Sequence, residues 1–301
     1  MFDYKKIFKS REMRLAILNI LSFIPDEIMV RIQYFIKTGR RLHLKDPKRY
    51  TEKLQRYKLY FHKPSMKKCA DKFDVREYVK SKGLESLLVK NYGVYDRVDA
   101  INWESLPSSF VIKNTTGAGG NSVLIVKDKS KFDINKNLPT LENWLKPIKR
   151  HSGGREWVYE DLHPRLIIEE YIDSVESEGG LIDYKFFCFN GKPEYLYVIT
   201  DRKLGKKASF GIFSKEFVQL PYYRSDELPL TRKVEKPKEY DEMLNIARIL
   251  SSDFPHARID LYNRSGRILF GEITFFDGSG YMKFEPDEFD YILGQKFDVL
   301  F

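Results

Sequence analysis

Two acidic side chains near the end of the chain are spaced so that they could hold a metal ion. The segment ARIDLYNRSGRILFGEITF (257–275) predicts a β-hairpin that turns near residue 265 or 266. Because side chains alternate between the two faces of a strand, Arg258 and Asp260 should share one face. This register places Asp260 nearly opposite Glu272 on the returning strand.

Two facing carboxylates repel each other and therefore need compensating positive charge. Arg258 supplies part of that charge, and Mg²⁺ would supply the rest, since it binds one or two protein carboxylates together with nucleotide phosphates. On the returning strand, Phe270, Glu272 and Thr274 should share a face. The alternative interpretation is a patch of surface charges on a two-faced sheet.

A glycine-rich segment, FVIKNTTGAGGNSVLIV (110–126), predicts two strands joined by a loop. Lys113 ends the first strand, and the loop contains Gly117, Gly119 and Gly120. Glycines let backbone amides approach phosphate oxygens, and a neighbouring lysine adds a point charge. The segment lacks the Gly-Lys-Ser/Thr order of a P-loop, and a strand follows the loop instead of a helix, so an ordinary turn remains the alternative.

Two further strands end in or carry polar side chains that suit a nucleotide. IIEEYI (167–172) predicts an apolar strand with acidic and aromatic residues at its end, which could line an adenine pocket and accept ribose hydroxyls. It could equally be a core strand that emerges at the surface. Asp183 and Lys185 should share a face of the next hairpin (183–200), where a plain salt bridge is the alternative.

In this order, the four segments resemble the ATP-grasp superfamily, in which a glycine-rich strand–loop–strand closes on a nucleotide held against a second antiparallel sheet. The last hairpin is similar to the metal-binding hairpin of D-alanine–D-alanine ligases. The resemblance assigns Arg258 to phosphate and transition-state charge, and Asp260 and Glu272 to magnesium. Thr274 stands where that pattern has asparagine, so its hydroxyl would face the metal or a bound water. Residues 277–280 (DGSG) replace the usual Pro-Gly substrate loop.

A closer similarity is to the TupA-like ATP-grasp family, from about residue 42 to the end. Two residues of the glycine loop depart from that family, since Thr116 stands at a histidine and Ala118 at a serine. The segments that carry the resemblance are KDPKRYTEKLQRYKLYFHKP (45–64), CADKFDVREYV (69–79), YGVYD (92–96), LPSSFVIKNTTGAGGN (106–121), IIEEYI, DYKFFCFNGKPEYLYV (183–198), ARIDLY and FGEITFFDGSG (270–280).

The resemblance implies a full set of site residues and an activity. Arg258 and Lys185 would be catalytic, and Asp260, Glu272 and Thr274 would face the metal. The residues expected to bind the nucleotide are Lys113, Thr116, Gly117, Gly119, Gly120, Glu169, Glu170, Tyr171, Ile172 and Asp183.

The implied cofactors are ATP and Mg²⁺. The implied reaction joins a carboxylate, such as a uronic acid or an acidic glycan, to an amine or amino acid through an acyl phosphate. Family members are implied to act in cell-surface polysaccharide assembly. An ATP-grasp kinase of a hydroxyl and a non-catalytic glycan-binding relative remain alternatives. Amine-dependent release of ADP would separate the ligase from both.

Elements that position these residues are predicted to belong to an α+β fold. We expect a mostly helical, basic N-terminal region (1–105), a small ATP-grasp subdomain (106–172) and a large subdomain with the metal hairpin (173–301). Asn190-Gly191 between two strand-like runs is typical of a type I′ turn. Two short amphipathic helices are expected before Gly39, with an apolar face that either packs in the core or rests on a membrane surface.

Composition fits a globular protein of 301 residues, of which 42% are hydrophobic and 32% charged. The net charge of +9 is uneven, because residues 1–68 hold 18 Lys and Arg against 6 Asp and Glu. That excess favours an anionic partner, either an acidic substrate or an anionic membrane surface, and a solvated basic face is the alternative. We expect no nucleic-acid partner. The longest apolar stretch, 15–24, is too short to span a bilayer. With two cysteines and no signal peptide, we expect a cytoplasmic protein, and peripheral contact with the inner face of the membrane remains open.

Overall fold

A computed structural model describes residues 11–117, 122–147, 153–173, 181–201 and 207–299. These residues form eight α-helices, a four-stranded sheet, a six-stranded sheet and a two-stranded ribbon. Almost all strand pairs are antiparallel, which confirms the predicted α+β class.

Helices dominate the N-terminal part of the described chain. The second helix ends at Gly39, whose φ of 77° closes its last turn in the left-handed region, and this confirms the predicted stop. Nowhere in the described ranges is a helix both long and apolar enough to cross a bilayer. The five helices are α1 (Arg11–Ile20), α2 (Asp26–Thr38), α3 (Tyr50–Tyr60), α4 (Pro64–Ala70) and α5 (Val75–Ser81).

The small sheet contains the two strands that flank the glycine-rich loop. Its order is β1-β4-β2-β3, and helix α6 (Ile134–Trp144) packs on it through the buried Leu141. The four strands are β1 (Asn91–Tyr95), β2 (Phe110–Asn114), β3 (Val123–Val126) and β4 (Leu166–Glu170). Since β1 pairs with β4, this sheet also uses residues that precede 106. The three-part division of the chain stays a prediction.

The large sheet has the order β11-β10-β5-β6-β7-β9, in which only β7 and β9 pair in parallel. Its strands are β5 (Asp183–Phe189), β6 (Lys192–Thr200), β7 (Ser209–Ser214), β9 (Leu228–Pro229), β10 (His256–Arg264) and β11 (Arg267–Thr274). The remaining elements are the ribbon of β8 (Tyr223–Arg224) with β12 (Phe284–Glu285), and helices α7 (Tyr240–Ser251) and α8 (Glu288–Lys296).

Two tight turns set the register of the large sheet. Asn190 and Gly191 have φ values of 49° and 72°, which confirms the predicted primed turn between β5 and β6. Ser265 and Gly266, at 48° and 92°, join β10 to β11 where the sequence predicts the turn.

Both faces of the large sheet are covered, and this fixes which side chains form the site. On one face Phe186 packs against Tyr240 of α7, with ring centroids 5.9 Å apart. On the other face Phe187 packs against Tyr50 of α3, at 5.8 Å. Lys185, two residues before Phe187, shares this second face. The polar residues therefore lie on the α3 side of the sheet, next to an aromatic core.

Candidate functional site

The hairpin of β10 and β11 places the two predicted metal ligands side by side. Asp260 pairs directly with Glu272, as the sequence predicts. Arg258 Nε lies 2.7 Å from Asp260 Oδ1, and Arg258 Nη2 lies 2.8 Å from Asp260 Oδ2 and 3.1 Å from Glu272 Oε1. The Thr274 hydroxyl accepts from the same guanidinium at 3.0 Å and donates to Glu272 at 3.2 Å.

One prediction about this hairpin is wrong. Phe270 does not share a face with Glu272, because the register shifts after Asp260 and leaves Gly271 as an extra residue on β11. Phe270 therefore pairs with Leu261, and both belong to the apolar core. The bulge also needs a glycine, since a Cβ on Gly271 would lie 2.9 Å from the Asp260 carbonyl oxygen.

Strand β5 adds the predicted Lys185 and Asp183 to the same group. Lys185 pairs with Asp260 across the two strands, and its ammonium donates to that carboxylate. The same ammonium lies 3.6 Å from Asp183 Oδ2. Six of the predicted residues (Asp183, Lys185, Arg258, Asp260, Glu272 and Thr274) thus form one cluster, which we call the carboxylate cluster.

Sequence reasoning missed the acidic residue on the far side of Arg258. Arg258 Nη1 donates to Asp277, which is buried. Asp277 Oδ2 also accepts from the Tyr197 hydroxyl at 3.3 Å and lies 3.6 Å from Arg224 Nη1. Asp277 lies shortly after Thr274, in a segment that carries the family resemblance, and this position could have marked it as a candidate site residue. Arg258 is therefore held between acidic residues on both sides.

The pKa values of Asp260 and Glu272 are shifted in opposite directions. Burial raises the pKa of Asp260, against the opposing effect of Arg258 and Lys185. Burial would also raise the pKa of Glu272, but the positive charges of Lys185, Lys72 and Arg258 outweigh it and lower this pKa below its usual range. Glu272 is 40% exposed, whereas Asp260 is 2% exposed. A charged and accessible carboxylate therefore lies beside a buried one.

Lys72 connects the cluster to the glycine-rich loop, and the sequence reasoning also missed it. Its ammonium donates to the Gly117 carbonyl, and its charge acts on Glu272. Burial lowers the pKa of Lys72. Lys72 precedes Glu272 by 200 positions, so no local spacing could reveal the contact. Lys72 thus interacts with both the start of the loop and the carboxylate cluster.

The described part of the glycine-rich loop is tied back to strand β2. The Thr116 amide and hydroxyl both donate to Asn114 Oδ1, at 2.7 and 2.9 Å, so this hydroxyl is already engaged. At Gly117 a Cβ would lie 2.6 Å from Ser122 Cβ, so the loop can close only around a glycine. Gly119 and Gly120 lie outside the described residues.

The structure places Lys113 against strand β4. Lys113 Nζ lies 2.7 Å from Glu169 Oε2, and Arg76 Nη1 lies 3.3 Å from Glu169 Oε1. Glu169 is therefore buried between two cations, of which Arg76 was not anticipated. Glu170 instead reaches Arg267 of the large sheet at 3.4 Å. The predicted Tyr171 and Ile172 follow the last residue of β4 and are half-buried.

The oxygen atoms of the carboxylate cluster can coordinate Mg²⁺ only if a bound ligand, such as a nucleotide, supplies the remaining oxygen atoms around the metal. Asp260, Glu272 and Thr274 offer hard oxygen atoms of the kind that magnesium prefers. Within the described ranges, no group of three or more His, Cys, Asp or Glu side chains is placed to hold a metal. Asp260 is also engaged by Arg258 and Lys185. Two carboxylates complemented by phosphate oxygens is the arrangement that these residues can provide.

Comparison with known proteins identifies one family for this chain. Residues 52–298 match the family model described as TupA-like ATPgrasp. A comparison with curated protein sequences found no match.

Several solved structures are similar to this chain at low identity. A D-alanine–D-alanine ligase from Bacillus anthracis is 18% identical, with 69% of this chain and 57% of that chain covered and a TM-score of 0.41. The corresponding ligase from Helicobacter pylori is 17% identical, with 76% of this chain and 61% of that chain covered and a TM-score of 0.40. An N5-carboxyaminoimidazole synthetase from Staphylococcus aureus, complexed with ADP, is 11% identical. Here 77% of this chain and 52% of that chain are covered, and the TM-score is 0.40. The chain thus spans between half and two thirds of the length of these proteins.

Proposed function

The chain belongs to the TupA-like ATPgrasp family, and on that premise we propose that it is an ATP- and magnesium-dependent ligase that joins a carboxylate to an amine. One observation carries the proposal. Arg258 bridges the facing carboxylates Asp260 and Glu272, and Lys185 donates to the first of them. Phosphoryl transfer needs this combination of fixed positive charge and metal-binding oxygens.

ATP would lie between the small sheet and the large sheet. The contact of Lys72 with Gly117, together with its effect on Glu272, supports this because one lysine interacts with both the loop and a carboxylate of the cluster. Lys113, Gly117, Gly119 and Gly120 would contact the phosphates, and Thr116 would join them once its hydroxyl turns away from Asn114. The end of strand β4 (Glu169 and Glu170) and the residues that follow it (Tyr171 and Ile172) would border the adenine and ribose, with Asp183 nearby. We retain 1–105, 106–172 and 173–301 as the proposed division of the chain.

Asp260 and Glu272 would hold Mg²⁺, with Thr274 facing the metal or its bound water. Bound there, the ion would neutralise the nucleotide phosphates. Because both oxygens of Asp260 accept hydrogen bonds from cations, we expect Lys185 or Arg258 to turn toward the phosphates when the metal binds. Their charge is then available to the γ-phosphoryl group.

The proposed reaction has two steps. An oxygen of the substrate carboxylate attacks the γ-phosphorus of ATP, and ADP leaves with an acyl phosphate remaining. The amine then attacks the acyl carbon, inorganic phosphate leaves, and the amine loses its proton as the amide forms. Arg258 and Lys185 balance the charge on the transferred group in the first step.

We propose a uronic acid or an acidic glycan as the carboxylate, and an amino acid or another amine as its partner. A role in building a cell-surface polysaccharide or its precursor, on the cytoplasmic side of the membrane, would follow. The basic excess of residues 1–68 supports an anionic substrate, since opposite charge raises its local concentration.

The first two helices and the short turn between them support contact with an anionic membrane surface. Ile20, Phe23 and Phe35 are 72%, 79% and 62% exposed, although all three are large and apolar. On the opposite side of α2, Val30 and Tyr34 are fully buried. Exposed apolar side chains in a positively charged region are typical of helices that rest in a lipid headgroup layer.

Release of ADP tests the enzymatic proposal. The protein would be incubated with Mg²⁺, ATP and galacturonate, with and without a mixture of amino acids. We expect ADP release that depends on the amine and yields an amide detected by mass spectrometry. A phosphoester formed without any amine would show a kinase instead, and the ligase proposal would fail.

A further inference from the structure

Two neighbouring cavities open on the surface between residues 40–56 and helix α8. Their volumes are about 700 Å³ and 550 Å³, and Asp46, Lys48 and Tyr291 line both. Neither is lined by a residue of the carboxylate cluster. Because the two cavities share three lining residues, we treat them as one groove, here called the N-terminal groove.

The walls of the N-terminal groove carry an excess of positive charge. Seven Lys and Arg side chains line it, against three Asp and Glu. Some of this charge is neutralised, since Arg49 is 2.8 Å from Asp287 and Lys48 is 2.7 Å from Asp46. Arg40 also donates to Asp287.

Two cations of the groove keep their charge available. Arg41 and Lys45 are exposed, and neither has a hydrogen bond or an ion pair with any described residue. An anion that enters the groove would therefore meet cations that need not first give up another partner. Exposed, unpaired cations of this kind lose little by binding a carboxylate.

An aromatic ring lies between the two cavities. Tyr291 is 41% exposed, and the Arg49 guanidinium stacks over its ring at 4.1 Å from the centroid. A flat apolar ring beside cations suits a sugar acid, because the C–H face of a pyranose packs on the ring while its carboxylate meets Lys or Arg. Inorganic phosphate would gain nothing from the ring.

Helix α3 connects the groove with the segment that follows the metal hairpin. Lys53 and Arg56 face the groove. On the other side of the helix, Gln55 Nε2 donates to the carbonyl oxygens of Ser279 and Gly280, at 3.0 and 2.8 Å. A ligand in the groove would thus lie across one helix from residues 277–280.

We propose that the N-terminal groove binds a short stretch of an acidic polysaccharide, outside the catalytic cluster. The choice of a uronate as the ligand rests on the proposed function. The aromatic and cationic lining of the groove is observed independently of that function. The groove would hold the glycan chain, and the carboxylate cluster would act on one uronate or its precursor.

Calorimetric titration with tetragalacturonate tests the site, with maltotetraose as the uncharged control ligand. The double variant Arg41→Ala/Lys45→Ala should bind tetragalacturonate roughly tenfold more weakly than the wild type. The matched control Lys136→Ala/Lys238→Ala removes two exposed charges elsewhere and should leave the affinity unchanged. Equal losses in both variants, or no binding by the wild type at millimolar ligand, would overturn the proposal.

Tyr291→Ala tests the carbohydrate part of the inference. It should weaken tetragalacturonate binding several-fold and leave the affinity for tripolyphosphate unchanged, because only the sugar uses the ring. The same loss for both ligands would show a general anion site and overturn the glycan assignment.

ADP release with free galacturonate separates this inference from the proposed function. Arg41→Ala/Lys45→Ala should retain the wild-type rate at saturating concentrations of this monosaccharide. If the wild type binds tetragalacturonate but shows no amine-dependent ADP release, the groove stands and the ligase fails. If turnover is present but no variant alters glycan binding, the ligase function is supported and the glycan-binding role of the groove is rejected.

Discussion

Asp260 and Glu272 lie opposite each other on neighbouring strands, and a single guanidinium nitrogen of Arg258 donates to both, at 2.8 and 3.1 Å. Positive charge therefore already stands where a cation and nucleotide phosphates would bind. Only Glu272 of the pair is substantially exposed, at 40%. Metal-dependent binding should consequently respond most clearly to a change at Glu272.

Glu272→Gln should remove the enhancement of ATP affinity by Mg²⁺ and lower turnover by at least about 100-fold. The amide keeps the shape of the side chain but loses the negative charge. Calorimetric titration of ATP with and without Mg²⁺ measures the effect apart from catalysis. The exposed Glu242→Gln serves as the control. An unchanged response to Mg²⁺ would contradict the metal assignment.

Lys113→Ala should weaken nucleotide binding roughly tenfold, since a charged phosphate partner is lost. Without nucleotide, Lys113 is 2.7 Å from Glu169 Oε2, and Arg76 would still neutralise that carboxylate in the variant. Lys131→Ala, at an 82% exposed side chain, is the matched control. If calorimetry gives equal ATP affinities for both variants, Lys113 serves only to pair with Glu169.

Asp277→Asn should lower the free energy of unfolding by about 3 kcal/mol, because Arg258 and Arg224 lose a buried countercharge. Asp226→Asn is the matched control, since Asp226 also pairs with Arg224, at 2.7 Å, but is 49% exposed. We expect Asp226→Asn to lower the free energy of unfolding by less than about 1 kcal/mol. Urea unfolding measures both. Similar costs would mean that Asp277 contributes no more than a surface partner.

The hairpins could be read from the sequence, whereas the wider cluster could not. Asn190-Gly191 and Ser265-Gly266 allow positive φ, so local chemistry fixes both turns and with them the pairing of Asp260 with Glu272. A glycine inside a strand often marks a bulge, so Gly271 was a usable signal for the register shift that moves Phe270 to the core.

Contacts between distant segments leave no local pattern in a single sequence. Lys72 reaches Gly117 from before helix α5, and Arg76 reaches Glu169 across 93 positions. Both depend on how the helices pack on the small sheet. Residue type alone showed only that Lys113 and Glu169 could interact with a nucleotide, not that they pair with each other.

His256 should make the stability of the protein depend on pH below neutrality. It is fully buried, and burial lowers its pKa from 6.5 to about 4. Its Nδ1 donates to the Cys188 carbonyl at 2.9 Å, and its Nε2 accepts from the Tyr50 hydroxyl at 2.9 Å. Between these pH values the unfolded chain binds a proton that the folded chain does not.

The resulting stabilisation is complete above pH 6.5 and is lost as the pH falls to about 4, with a total of about 3 kcal/mol. His256→Asn keeps the donor to Cys188 but cannot titrate. The cost of this variant, measured by urea unfolding, should therefore shrink as the pH falls from 7 to 4. A cost that is constant with pH would show that His256 titrates normally.

The exposed apolar side chains of the first helices should bind anionic vesicles. Ile20→Ser/Phe23→Ser/Phe35→Ser removes three of them without touching a buried residue, so the fold should be retained. The control, Ile125→Ser/Val218→Ser/Leu228→Ser, removes three apolar side chains that are 44%, 58% and 49% exposed elsewhere. Co-sedimentation with phosphatidylserine vesicles measures binding.

Wild-type binding should rise with the anionic lipid fraction and fall with salt, because each basic residue near the surface contributes about 1 kcal/mol that salt screens. The first variant should lose vesicle binding and keep its ADP release, whereas the control should keep both. Wild-type protein that ignores anionic vesicles even at low salt would end the membrane proposal. The basic excess would then be left to serve a soluble acidic glycan, which the N-terminal groove is placed to bind.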